Sequence, residues 1–289
     1  MSAPSTGRRW TVAASDRGHG PYIWRFSTID RVLHLMVIVS FFGLVVTGVP
    51  LHFAHEPWAG FLIRMHGGVH TAGVIHRICA VITFTYFFIH IGTIITRFVR
   101  APDRKAFLFG PNSMVPARKD LSDLVQQFKW FVGRGPRPQF DRYSYMEKFD
   151  YWAVFWGVAI IGGSGLLLWF PALFSSWVPG WVFNVATIVH GDEALLALVF
   201  IFTIHFFNGQ LRPDKFPLDV VVFTGRATQE YMEEEHPVEM ERLAEEGRLE
   251  QRLAPPPPRA LYIGALVLGG TAILIGLTLA GLVIWAKLR

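Results

Sequence analysis

Five stretches of this sequence are long and apolar enough to cross a lipid bilayer, and they limit the fold more than any other feature. They are Val32 to Pro50, Thr71 to Thr96, Phe149 to Phe170, Val182 to Phe207 and Leu261 to Ala286. A spanning helix needs about 20 mostly apolar residues. Hydrocarbon offers backbone groups no water, so such segments satisfy their hydrogen bonds internally as helices. The composition agrees: 52% of the 289 residues are hydrophobic and 17% are charged, against about 25% charged in an average soluble domain. Disordered, collagen-like and ordinary cytosolic classes are excluded. The expected class is all-α integral membrane.

The first span follows a polar leader, residues 1–31, without a small-residue cleavage site, so it does not read as a cleavable signal. Basic residues then set the orientation, because loops rich in Lys and Arg stay in the cytoplasm. The leader holds Arg8, Arg9, Arg17, Arg25 and Arg31, and the segment between the second and third spans holds eleven more, from Arg97 to Lys148. The segment before the last span adds seven, from Arg212 to Arg259, whereas the opposite side has Arg64, Lys287 and Arg289. A cytoplasmic N-terminus follows. The net charge of +5 is thus topological, and a nucleic-acid partner is not needed to explain it.

This divides the chain into a cytoplasmic leader (1–31), a four-span core (32–207), a cytoplasmic acidic segment with a proline linker (208–259) and a fifth membrane helix (260–289). Between the second and third spans a short helix is expected around Leu121 to Phe131. Thr228 to Gln251 carries nine glutamates and reads as a solvated helix. Pro255 to Pro258 is a stiff linker, and Ala272, Gly276 and Ala280 form a small-residue stripe suited to helix packing.

Five histidines lie inside spans: His34, His76, His90, His190 and His205. Ionisable groups in hydrocarbon are costly, so function is their default reading. His76 and His90 are 14 residues apart, and His190 and His205 are 15 apart. At about 100° per residue each second histidine returns close to the face of the first, about 21 Å further along the helix. One histidine then stands in each leaflet, on two helices. Two bis-histidine haems stacked across the bilayer need such a ladder. A zinc site does not, since its ligands converge on one point. Gly43, Gly73, Gly92, Gly157, Gly162, Gly163 and Gly165 would admit a porphyrin or close helix packing equally well. Arg77 is placed either to pair with a propionate or to snorkel. His76 and His190 match in depth. For His205, both His34 and His90 lie toward the inner side, and depth slightly favours His90.

The single cysteine, Cys79, excludes an iron–sulfur cluster or a c-type haem held by this chain alone. External redox centres would therefore belong to another subunit.

Several motifs resemble the di-haem cytochrome b subunit of bacterial respiratory formate dehydrogenases, and the similar cytochrome b subunit of nickel–iron hydrogenases. They are Ile29-Asp30-Arg31-Val32-Leu33-His34, Thr47-Gly48, Val74-Ile75-His76, Tyr143-Ser144-Tyr145-Met146-Glu147-Lys148, Ile188-Val189-His190 and Ile204-His205, within residues 22 to 250. The resemblance implies a four-helix di-haem bundle in a bacterial inner membrane, to which the fifth span is an addition. It implies an inner haem b on His34 and His205 and an outer one on His76 and His190. The pattern of cytochrome b in bc complexes would choose His90 instead of His34. The fourth-span spacing of 15 exceeds the 14 of the formate dehydrogenase pattern, a departure that a π-bulge would absorb.

The same resemblance puts a quinone site, for menaquinone or ubiquinone, at the cytoplasmic entrance of the third span. Ser144 or Lys148 would donate to a quinone oxygen and Glu147 would exchange protons. The outer-face partner would be a multihaem cytochrome c or an iron–sulfur subunit. The loop from Leu51 to His70 is its candidate docking surface, with His66 and His70 at i, i+4 spacing. The competing class is a haem-free membrane anchor or transporter subunit.

Overall fold

The structure is a computed structural model that describes residues 21–288 apart from 214 and 217. Arg8, Arg9, Arg17 and Arg289, used above for orientation, lie outside the described residues. Five long apolar helices cross the molecule: α1 (Thr28–His52), α2 (Val69–Arg100), α3 (Tyr145–Trp169), α4 (Trp181–Leu211) and α5 (Arg259–Lys287). Each matches an expected span and extends it by up to a turn or so at its polar ends, where backbone bonding continues beyond the apolar run.

Local chemistry starts two of these helices. Ser27 and Asp30 form a reciprocal capping box at α1, and Ser144 and Glu147 form another at α3, each satisfying backbone N–H groups that a helix start leaves open. Gly67 and Gly68 precede α2 with φ of 83° and 97°, a region L-residues avoid. They separate α2 from the short helix Pro57–Met65. His66 and His70 therefore do not share a helix, and their i, i+4 spacing is not realised; His66 instead bonds the Leu62 carbonyl through Nδ1 at 2.6 Å.

The helices are apolar on every face because lipid, not water, surrounds them. Val39, Phe88, Ile95, Trp156, Leu196 and Leu274 are accordingly exposed. The packed centre belongs to α1, α4 and α5, where Val45, Val49, Leu198, Phe202, Phe206, Leu279, Ala280 and Val283 form one cluster. The fifth helix is thus part of the core. A Cβ at Gly276 would stand 2.6 Å from the Phe202 ring, so the small-residue stripe is what lets α5 approach α4.

Three π-helical turns interrupt the spans: Val158–Gly162 in α3, and Ile201–His205 and Phe207–Leu211 in α4. The second lies between His190 and His205. A π-turn takes up about one extra residue, so the spacing of 15 still leaves both histidines facing the bundle.

At the basic end the polar segments fold into a cap. Strand β1 (Tyr22–Trp24) pairs antiparallel with β2 (Arg226–Thr228) on one side and β3 (Leu253–Ala254) on the other. Ile23, Val221, Ala227, Met232, Met240, Leu243 and Leu249 close a small core beneath it. Sequence periodicity missed this sheet because its strands have two or three residues. The loop helix runs from Arg118 to Phe131, three residues earlier than expected.

The acidic segment is only partly solvated. Glu230, Glu233, Glu234, Glu241, Glu245, Glu246 and Glu250 are exposed, but Glu235 and Glu239 are buried. Glu239 pairs with Arg25 at 2.9 Å and with Arg142 at 3.1 Å. Glu235 pairs with Arg137 and Arg212, both at 2.5 Å. Burial alone would raise the Glu235 carboxyl, but the Arg212 hydrogen bond and the charges of Lys215 and Arg137 hold it below its ordinary range. His236 is kept below the usual histidine value by burial and by the Arg25 guanidinium.

Arg25 is the centre of the cap, bonded to Glu239, Glu147 and the Arg142 carbonyl. Arg25→Met is expected to leave Glu239 with Arg142 alone and Glu147 without a cation, and to cost about 3 kcal/mol, read as a lower unfolding temperature in tryptophan fluorescence. The lowered values of Glu235 and His236 stabilise the cap at neutral pH, and that contribution is lost as pH falls. Loosening is expected to begin below about pH 6.5 with His236 and to continue below about 4.5 with Glu235. Limited proteolysis against pH would follow it, and His236→Gln should remove the upper phase.

Candidate haem-ligand site

Two groups of imidazoles occupy opposite ends of the bundle. At the end away from the cap, His76 on α2 faces His190 on α4, with ring centres 6.2 Å apart and planes at 70°. The Nδ1 of each is engaged. His76 Nδ1 lies 3.0 Å from the Thr47 hydroxyl, which donates its own proton to the Gly43 carbonyl at 2.6 Å. The hydroxyl oxygen is therefore the acceptor and Nδ1 the protonated nitrogen. His190 Nδ1 donates to the Ile161 carbonyl at 2.9 Å, in the π-turn of α3. Both rings thus keep Nε2 as a lone-pair donor, the tautomer that second-shell bonds impose on metal-binding histidines.

Two glycines make room for these rings. A Cβ at Gly48 would lie 3.0 Å from His76 Cε1, and one at Gly165 would lie 3.0 Å from His190 Cε1. Thr47-Gly48 is therefore one functional unit, the threonine setting the tautomer and the glycine the clearance. Of the other glycines singled out, Gly43 abuts Cys79 and Gly162 abuts Phe84 in helix packing, whereas Gly73, Gly92 and Gly163 border open space. Arg77 lies over the Trp169 ring at 5.9 Å.

Near the cap, His205 Nδ1 donates to Asp150 Oδ2 at 2.8 Å, and its Nε2 has no hydrogen-bond partner among the described residues. His34, on α1, meets the Phe223 ring edge-on at 6.3 Å. His90 stands apart from them. Its Nε2 lies 3.0 Å from the Tyr151 hydroxyl, and its ring packs on Tyr151 and Phe155. Asp150 escaped the sequence reading because it sits just inside the third span, where an acid looks interfacial. The histidine it serves is 55 residues away.

Ser144, Glu147 and Lys148 gather at the start of α3. Glu147 Oε2 accepts from Ser144 N and Oγ at 2.8 and 2.9 Å, and its Oε1 accepts from Arg25 at 2.9 Å. Lys148 pairs with Asp120 at 2.9 Å, tying α3 to the loop helix. Among the described residues no three or more His, Cys, Asp or Glu side chains form a metal cluster.

Residues 25–209 match the family described as prokaryotic cytochrome b561, and no curated protein matches the chain. The chain belongs to the prokaryotic cytochrome b561 family. It is a multi-pass cytochrome b of the bacterial inner membrane, a haem b protein of electron transfer that works with redox partner subunits. The residues fit the group. Metal–imidazole bonds of about 2 Å put two rings sharing one metal ion about 6 Å apart, the separation seen between His76 and His190. Gly165→Leu is expected to displace the His190 ring and lower bound haem b about twofold in a pyridine haemochrome assay.

Proposed function

With cytochrome b561 membership as the premise, we propose that this chain is the membrane cytochrome b subunit of a respiratory redox complex. It carries electrons through two b haems between the quinone pool and a redox partner on the outer face. One observation carries the reading above all: His76, His190 and His205 each commit Nδ1 to a protein acceptor, and none of their Nε2 atoms has a hydrogen-bond partner among the described residues. His76 and His190 would hold the outer haem, and His34 and His205 the inner one. His90 is left out, because its Nε2 is engaged by Tyr151.

Haem b supplies a one-electron carrier whose potential is set by its ligands and surroundings. The chain's part is to orient the four imidazoles, keep them in one tautomer and exclude water with apolar helices. Its one cysteine leaves further centres to the partner, an iron–sulfur subunit or a multihaem cytochrome c. Quinone is read at the cap end of α3, with Lys148 or Ser144 donating to its oxygen and Glu147 exchanging protons with the cytoplasm. At that helix entrance Glu147 pairs with Arg25 and Lys148 with Asp120, so either side chain would have to leave its partner to serve a quinone.

The test is haem stoichiometry in purified wild type and single variants, by reduced-minus-oxidised spectra and pyridine haemochrome. About two b haems per chain are expected. His34→Ala and His205→Ala should each lose one, His76→Ala and His190→Ala the other, and His90→Ala neither. Loss from His90→Ala with retention in His34→Ala would transfer the inner ligand to α2. A folded wild type without haem would leave a membrane anchor or transporter.

A further inference from the structure

The three anchored imidazoles do not share one kind of acceptor. Those of His76 and His190 are neutral, a hydroxyl and a backbone carbonyl. That of His205 is the carboxylate of Asp150. Its second oxygen, Oδ1, is buried and has no hydrogen-bond partner among the described residues. Leaving a carboxylate oxygen unbonded in apolar surroundings is costly, and an amide oxygen would satisfy the imidazole N–H equally well. Its position near the start of α3 would favour an acid through the helix dipole. That does not explain why Oδ2 is aimed at a ring on another helix. What a carboxylate adds over an amide is charge.

We propose that Asp150 is a positioning residue that, through His205, lowers the potential of the inner haem below the value a neutral acceptor would give. The inference rests on the proposed assignment of His205 as an axial ligand. A carboxylate pulling on the Nδ1 proton makes the opposite nitrogen a stronger electron donor. A more basic axial ligand favours the oxidised iron, and the nearby negative charge acts in the same direction. Thr47 and the Ile161 carbonyl set tautomers at the other end without this charge. The two ends of the bundle are thereby made electronically unequal by the groups that accept the Nδ1 protons, although all four proposed ligands are histidines.

The experiment is an optical redox titration of the purified, haem-loaded protein, with haem content measured on the same samples. Asp150→Asn keeps volume and an acceptor oxygen. It should retain the wild-type haem content while one of two midpoint components moves upward and the other stays. Thr47→Val should move the other component, which assigns the two. Asp150→Glu should return the shifted midpoint toward wild type. Unchanged midpoints in Asp150→Asn at full haem content, or equal shifts of both components, would overturn the proposal. If Asp150→Asn sheds a haem, retention and a wild-type midpoint in Asp150→Glu uphold it. Loss from both variants overturns it and makes Asp150 a residue of the fold. Retention of both haems in His205→Ala would remove the ligand assignment beneath it, an outcome read from haem content and so distinct from failure of the Asp150 inference.

Discussion

An imidazole inside a membrane protein has one N–H that hydrocarbon will not solvate, and the architecture around the histidines follows from that constraint. Each anchored ring donates Nδ1–H to an acceptor, and the acceptors come from places where the helices carry something beyond a regular ladder. Thr47 hooks onto its own helix at Gly43 and turns its oxygen to His76. Ile161 offers its carbonyl from a π-turn. Asp150 supplies a side-chain oxygen. Satisfying the donor also fixes the direction of the remaining lone pair, so the polar cost of burial and the orientation needed to bind a metal are met by the same bond.

The core helices support that arrangement from behind. Gly276 on α5 lets the Phe202 ring lie against the α5 backbone, and Phe202 is fully buried. Phe202 belongs to the π-turn Ile201–His205, so the contact that seats the fifth helix also seats the widened turn that presents His205. A helix beyond the four-span bundle thereby contributes to the geometry of a residue it does not carry.

The cap adds an electrostatic closure at its own end of the bundle. Arg25 precedes α1, Glu147 starts α3, and Glu239 lies in the acidic segment, yet the three meet in one group whose Arg25 and Glu239 are buried and whose Glu147 reaches the surface. Glutamates spaced along the chain as if for solvent split into exposed ones and two that neutralise arginines from distant loops. Buried pairs of this kind mark a specific docking of segments more than net stability.

The membrane class and the five helices were legible in the sequence, because apolar length is a property of a single segment. The Thr47-Gly48 motif was visible too, as was the need for a π-bulge between His190 and His205. The sheet was not legible, since strands as short as Leu253–Ala254 carry no period. Neither was the burial of Glu235 and Glu239, nor the reach of Asp150 to His205, because each depends on partners far apart in the chain. Local periodicity therefore determined which residues lie on which helix and at what depth. Tertiary packing alone decided which nitrogen of each histidine is spent on the protein, since a hydrogen bond across helices exists only once both have been brought together.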